Sequence, residues 1–161
     1  EIAMFMQNEG EIIAQDIYEK RVQLIDHLML KTGVSIVKTK VQDSSVLNEE
    51  YINKFDRVLL DAPCSGLGDL RHKPEIRFHL KPDNIDELTS LQKKLLEVNG
   101  QYVKEGGILV YSTCTLNKKE NEKQIQTFLK NYSEYELIEE KTLFPYIENS
   151  DGFYYAKMRR K

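Results

Sequence analysis

Apolar residues along the chain change spacing, and the changes mark the elements. Glu11-Ile-Ile-Ala-Gln-Asp16-Ile17 follows Asn8-Glu9-Gly10 and reads as a short buried strand. From Tyr18 to Lys31, Val22, Ile25, Leu28 and Met29 recur at helical spacing, with Gly33 as a C-terminal cap. Val34 to Val41 alternates Val34, Ile36 and Lys38 against Ser35, Val37 and Thr39, which predicts a strand. Val41 to Phe55 is polar and loop-like, with room for a helical turn. Asp56 to Asp61 is a third strand, stopped by Pro63, and Cys64 to Pro82 reads as a long loop rich in charge, glycine and proline. Asp83 can cap a helix running through Val103, with Ile85, Leu88, Leu91, Leu95, Val98 and Tyr102 on one stripe and Gly106-Gly107 as its end. Ile108 to Ser112 is apolar throughout, as a central strand is. Asn117 with Glu120 has the spacing of a capping box for a helix to Asn131 that turns Ile125, Phe128 and Leu129 inward. Tyr135 to Glu139 and Phe153 to Met158 are late strands.

Strands alternating with helices predict an α/β fold, most simply a doubly wound, mostly parallel sheet. The length of 161 residues suits a single domain over 1–161, and 40% hydrophobic with 30% charged residues is the balance of a folded globular chain. The chain opens at Glu1 rather than Met and is expected to be part of a longer protein. No apolar run approaches the ~18 residues of a membrane span, and no basic-then-apolar signal segment opens the chain. A net charge of −3 excludes a strongly basic nucleic-acid binder while allowing a local basic patch. Two cysteines make no disulfide framework, and a cytoplasmic setting is expected.

In open α/β sheets ligands bind beyond the carboxyl ends of the strands. The first strand ends in Asp16, Asp43 follows the second, the third ends in Asp61-Ala-Pro-Cys64-Ser-Gly-Leu-Gly68, and the fourth ends in Ser112-Thr-Cys114-Thr115. Three carboxylates and both cysteines are therefore expected on one edge. Each has a plainer reading: Asp favours turns, and a cysteine is commonly a small buried apolar residue. A disulfide between the two is a further alternative. The chemical reading places Cys114 directly before a helix N-terminus, whose partial positive charge favours thiolate. His27 lies mid-helix as a surface or packing residue. His72 and His79 lie in the long loop without metal-ligand spacing to either cysteine, so no metal is expected. Arg71, Lys73, Arg77 and Lys81 form a basic run that is either a solvated loop or a phosphate clamp. A second basic cluster, Lys157, Arg159, Arg160 and Lys161, reads as a terminal strand or tail. The Gly-rich dinucleotide fingerprint and the Walker loop are both absent.

Asp61-Ala-Pro-Cys64-Ser-Gly-Leu-Gly68, followed 50 residues after Cys64 by Tyr111-Ser-Thr-Cys114-Thr115, resembles the paired signature motifs of the RNA cytosine-5 methyltransferases. Gly106-Gly107-Ile-Leu-Val, Asn121 and the closing Asp151-Gly-Phe-Tyr-Tyr-Ala-Lys agree, and the match is nearest the bacterial small-subunit ribosomal RNA cytosine-5 methyltransferase B group. The resemblance covers nearly the whole chain. It implies a Rossmann-like domain that uses S-adenosylmethionine, with Asp16 on the cofactor ribose, Asp43 near the adenine, and Asp61 near the methionine end and the target base. It makes Cys114 the nucleophile on C6 of a cytosine and gives Cys64 a part in product release. It also puts Arg71, Lys73 and Arg77 where family members meet RNA. In the family, a first strand with a Gly-rich turn precedes the segment matching Glu1 to Met6, which looks like the tail of the following helix. That strand belongs between those ending at Asp16 and Asp61. Its lack here implies a sheet without its first strand and a chain that, alone, does not methylate RNA. Two other readings stay open: a non-catalytic RNA-binding or assembly module, and a methyltransferase for another acceptor. The paired cysteines speak against the first, since binding alone needs neither.

Overall fold

In the computed structural model, which describes residues 1–79 and 81–161 and of His79 the backbone only, the chain forms two compact units, Glu1–Val46 and Leu47–Lys161. The first contains α1 (Ile2–Phe5), β1 (Ile12–Asp16), α2 (Glu19–Thr32) and β2 (Val37–Val41). β1 and β2 pair in parallel, Ile12 opposite Val37 and Asp16 opposite Val41, with α2 as the crossover. Gly33 stops α2 as expected: at φ 67° it takes the left-handed conformation that glycine enters without a Cβ penalty, and its N–H returns to Met29 O. β2 begins three residues later than predicted. Residues 34–36 precede the strand as irregular backbone, where Asn8 accepts the Ser35 N–H and donates to Ser35 Oγ, each at 2.9 Å. Only Ala3, Val22 and Ser45 of this unit are buried among the described residues.

The second unit opens with a 3₁₀ turn (Glu49–Tyr51). It continues with β3 (Phe55–Asp61), α3 (Ile76–His79), α4 (Pro82–Gly100), β4 (Val103–Thr113), α5 (Glu122–Asn131), β5 (Tyr135–Leu143), α6 (Pro145–Glu148) and β6 (Phe153–Arg160). The sheet order is β3-β4-β6-β5; β3 and β4 run parallel, and β6 runs antiparallel to both β4 and β5. The class is α/β as expected, with an antiparallel C-terminal pair. Residues 144–152 are too few for the crossover that a parallel β5–β6 pair needs. The core gathers Leu60 from β3, Leu95 and Leu96 from α4, Leu109 and Tyr111 from β4, Ile125 and Phe128 from α5, and Tyr154, Ala156 and Met158 from β6.

Three expected boundaries move. Asp83 does not cap its helix but sits inside the first turn: Pro82 is the first helical residue, pre-set for that position, and Asn84 Oδ1 accepts the Lys81 N–H at 3.1 Å. The same helix ends at Gly100 rather than Val103, because Val103 already pairs with Phe55 of β3, and Gly106, at φ 75°, lies in the irregular stretch before the regular register resumes at Ile108. The last helix starts at Glu122 rather than Asn117. The Asn117 N–H goes to Thr115 Oγ1 at 3.2 Å, and Glu120 turns inward instead of reaching back as a capping box.

Candidate active site

In the second unit, parallel pairing sets Asp61 opposite Ser112, and Ser112 Oγ donates to Asp61 Oδ1 at 2.9 Å. The ladder continues past the strands, with the Ala62 N–H on Ser112 O at 2.9 Å. The two motif loops thus leave adjacent strand ends together. Gly68 closes them further along: its N–H donates to Cys114 O and its carbonyl accepts the Gly152 N–H, both at 2.9 Å. A Cβ on Gly68 would lie 1.9 Å from Gly152 O and 2.8 Å from Cys114 O, so the approach requires glycine.

This arrangement brings Cys64 Sγ and Cys114 Sγ to 3.1 Å, both as free thiols. Cys64 is half-buried and Cys114 exposed. The hydrogen bond from the Cys64 thiol holds Cys114 down at about 7, against burial and the nearby charges of Asp61 and Asp69. The Cys64 thiol is pushed well above the ordinary range, first because it is the donor to Cys114 and then by burial. One proton between two sulfurs makes one of them a thiolate near neutral pH, and the thiolate is the nucleophilic form. The expected helix N-terminus is not the cause, because α5 starts at Glu122, well beyond Cys114.

The basic run forms part of the same unit. Arg71, Lys73 and Arg77 are all exposed. Lys73 Nζ lies 2.6 Å from Asp69 Oδ2, and the Arg77 guanidinium lies 4.6 Å above the Phe78 ring. His72 Nε2 approaches Asp151 Oδ1 at 3.2 Å, so Asp69, His72 and Asp151 present ligand-type atoms within 4.8 Å of one another. Sequence spacing did not reveal this cluster because Asp151 comes from the far end of the chain. His27 is exposed on α2 as expected; the readings of the His79 side chain and of Leu80 within the long loop lie outside the described residues.

Asp16 and Asp43 belong to the first unit, one closing β1 and the other following β2. Each is oriented by its own turn: Asp16 Oδ1 accepts the Tyr18 N–H and Asp43 Oδ1 accepts the Ser45 N–H, both at 2.8 Å. Arg21 pairs loosely with Asp16, at 3.5 Å.

A family model described as "16S rRNA methyltransferase RsmB/F" matches residues 1–159. The chain belongs to that family. It is 34% identical over 178 residues to the Bacillus subtilis (strain 168) protein called "Probable ribosomal RNA small subunit methyltransferase B", covering 99% of this chain and 40% of the relative. A second relative, from Yersinia enterocolitica, is covered over 37% of its length, so the chain spans about 40% of the curated relatives it matches. Among solved structures, PH0851 superposes with a TM-score of 0.95 at 34% identity, over 99% of this chain and 39% of that one. NSun6 from Pyrococcus horikoshii, solved with SFG, superposes with a TM-score of 0.89 at 29% identity, over 99% of this chain and 44% of that one. The fold is that of the Rossmann-like methyltransferases. No helix among the described residues is long and apolar enough to cross a membrane.

Proposed function

We propose that residues 1–161 are the catalytic part of an enzyme that transfers a methyl group from S-adenosylmethionine to C5 of a cytosine in small-subunit ribosomal RNA, through a covalent adduct on Cys114. The observation that carries this reading is the sulfur pair itself, two free thiols 3.1 Å apart with Cys114 acidified to about 7. Membership of the family and the names of its relatives support the substrate and the cofactor. The carboxylates of Asp16 and Asp43, each oriented by a backbone N–H of its own turn, are of the acceptor type that suits the hydroxyl and amino donors of a nucleoside. They would hold the ribose and adenine of the cofactor, whose sulfonium supplies the electrophilic methyl.

C5 of cytosine is a weak nucleophile. Addition of the Cys114 thiolate to C6 pushes the ring electrons to C5, which can then take the methyl group; this splits one difficult step into two. The adduct afterwards loses its C5 proton, and the returning electron pair expels Cys114. Cys64, whose sulfur lies 3.1 Å from that of Cys114, acts in this release as the base or its relay. Asp61, at the strand end beside both motifs, would serve as a carboxylic acid that takes up its proton with the bound base and donates it toward N3, offsetting the negative charge that sulfur addition drives into the ring. A cytosine must leave its stack to meet these groups, so the target is single-stranded or extruded. Arg71, Lys73 and Arg77 hold the flanking phosphates.

The test uses a full-length family member carrying these 161 residues. Cys114→Ala abolishes methyl transfer. Cys64→Ala accumulates a protein–RNA adduct that resists denaturant, and the double variant accumulates none. Full turnover by Cys64→Ala without an adduct overturns the assigned roles.

A further inference from the structure

We infer that Glu120 is the positioning residue of the cysteine pair: one buried carboxylate that ties the loop of Cys64 to the loop of Cys114 and so sets the separation of the sulfurs. The inference rests on the reading of the two cysteines proposed above and adds a residue outside both motifs.

Glu120 is fully buried, at 0% exposure. Its Oε1 accepts the Ser65 N–H at 2.8 Å and Gln92 Nε2 at 3.1 Å; its Oε2 accepts the Ser65 hydroxyl at 2.6 Å and the Thr115 hydroxyl at 3.3 Å. Ser65 Oγ and Thr115 Oγ1 are themselves 2.8 Å apart. Ser65 adjoins Cys64 and Thr115 adjoins Cys114, so the carboxylate holds the neighbour of each sulfur. Behind it, the Tyr111 hydroxyl donates to Glu120 O at 2.7 Å. The next residue, Asn121, accepts from Thr113 Oγ1 at 2.6 Å and donates to Thr115 O at 2.9 Å, which brackets Cys114 on both sides.

Among the described residues no Lys, Arg or His pairs with Glu120. A buried carboxylate without a cation is costly unless its oxygens are filled by donors, and here four donors fill them. A glutamine would turn one of those acceptor sites into a donor facing donors, so the isosteric change breaks the tie while leaving the volume unchanged.

Loosening the tie separates the sulfurs, and Cys114 loses the hydrogen bond that acidifies it. Removing a negative charge near a thiol has the opposite effect, since it favours the thiolate. The direction of the change therefore separates positioning from direct electrostatics. The other charges that reach Cys114 are Asp61 and Asp69, which oppose its ionisation, and Lys73, which interacts favourably with the thiolate. All three are untouched by the substitution.

The experiment is the pH dependence of Cys114 alkylation by iodoacetamide in the 161-residue chain, followed on its peptide by mass spectrometry, with circular dichroism as the check on folding. The wild-type midpoint is expected at about 7. In Glu120→Gln it rises toward the ordinary thiol value of ~8.5, as it does in Cys64→Ala, and the double variant rises no further than Cys64→Ala alone. A folded Glu120→Gln that keeps the wild-type midpoint, or lowers it, overturns the inference; so does a double variant whose shifts add. If Glu120→Gln does not fold, Ser65→Ala carries the test: it deletes one hydroxyl donor, keeps the backbone N–H, and must raise the midpoint in part. A role in stability alone lowers the melting temperature and leaves the midpoint in place. Neither RNA nor methyl donor is present, so this result stands or falls separately from the RNA adduct of Cys64→Ala.

Discussion

The two units treat apolar residues differently. In Leu47–Lys161 the apolar positions of β4 find cover: Leu109 and Tyr111 are fully buried, and α4 and α5 bring Leu96 and Ile125 to the same core. In Glu1–Val46 the stripe read for α2 is covered only in part: Val22 is buried, Ile25 and Met29 are half-buried and Leu28 is 60% exposed, and no residue of β1 is fully buried. β1 has β2 as its strand partner, whereas β4 is paired on both sides. Periodicity thus states which residues share a face, not whether anything lies against that face. The functional consequence follows the same division. The cysteine pair, with its sulfurs 3.1 Å apart, sits on the unit with the packed core. The carboxylates Asp16 and Asp43 sit on the thinner unit and are aimed by local turns that need no core.

The largest effect expected from this contrast is on stability. Leu109→Ala removes a fully buried side chain between two paired strands and should cost ~2–5 kcal/mol in denaturant unfolding. Leu28→Ala, at the same residue type on an exposed helix face, should stay within ~0.5 kcal/mol. Equal costs would break the contrast between the units.

A smaller and more local effect is expected at Gly68. The Cβ of Gly68→Ala meets two backbone carbonyls, which cannot swing aside as a side chain would. The expected cost is ~1–3 kcal/mol, with loss of the acidic Cys114 midpoint in alkylation because Cys114 O is one of the two carbonyls met. Gly33→Ala, where a Cβ meets nothing within 4 Å, strains only its positive φ and should leave Cys114 unchanged.

Much of this was legible in the sequence, and what was not has a common cause. The apolar run before Ser112, the glycine after α2 and the paired cysteine motifs carry local signals, and the structure puts the strand, the cap and the sulfurs where they indicate. Glu120 misled for the opposite reason. Asn117 and Glu120 have capping-box spacing, but Ser65, Gln92 and Thr115 compete for the same carboxylate, and the tertiary donors win. Asp83 falls inside the first turn because Pro82 already opens the helix with Lys81 at the cap, and the Asp69–His72–Asp151 group needs a residue from the far end of the chain. The acidity of Cys114 was expected from a helix dipole and comes instead from a thiol 50 positions earlier, a contact no local pattern encodes.

The smallest expected effect sharpens this last point. Folded, the Cys114 thiol titrates at about 7; unfolded, it titrates at ~8.5. Between these values the unfolded chain holds more protons, so stability rises with pH, is fully present above ~8.5 and is lost as pH falls through 7. Cys64 works in the other direction. Its folded thiol is less acidic than its unfolded one, so its contribution is present below ~8.5 and is lost as pH rises beyond. The pair is therefore most stabilising near the point where one proton is shared by two sulfurs. Cys114 is exposed, and solvent screening holds the contribution to ~1 kcal/mol at most, or ~2–4 °C in melting temperature for a chain of this length. The measurement is the difference in Tm between the wild type and Cys114→Ala from mildly acidic to mildly alkaline pH. Taking the difference removes every titrating group the two chains share outside the pair. It should widen from pH ~7 to ~8.5 and narrow above. A difference that stays flat across this range means that the sulfurs lie close together without sharing a proton, and the acidity assigned to Cys114 would then need another source.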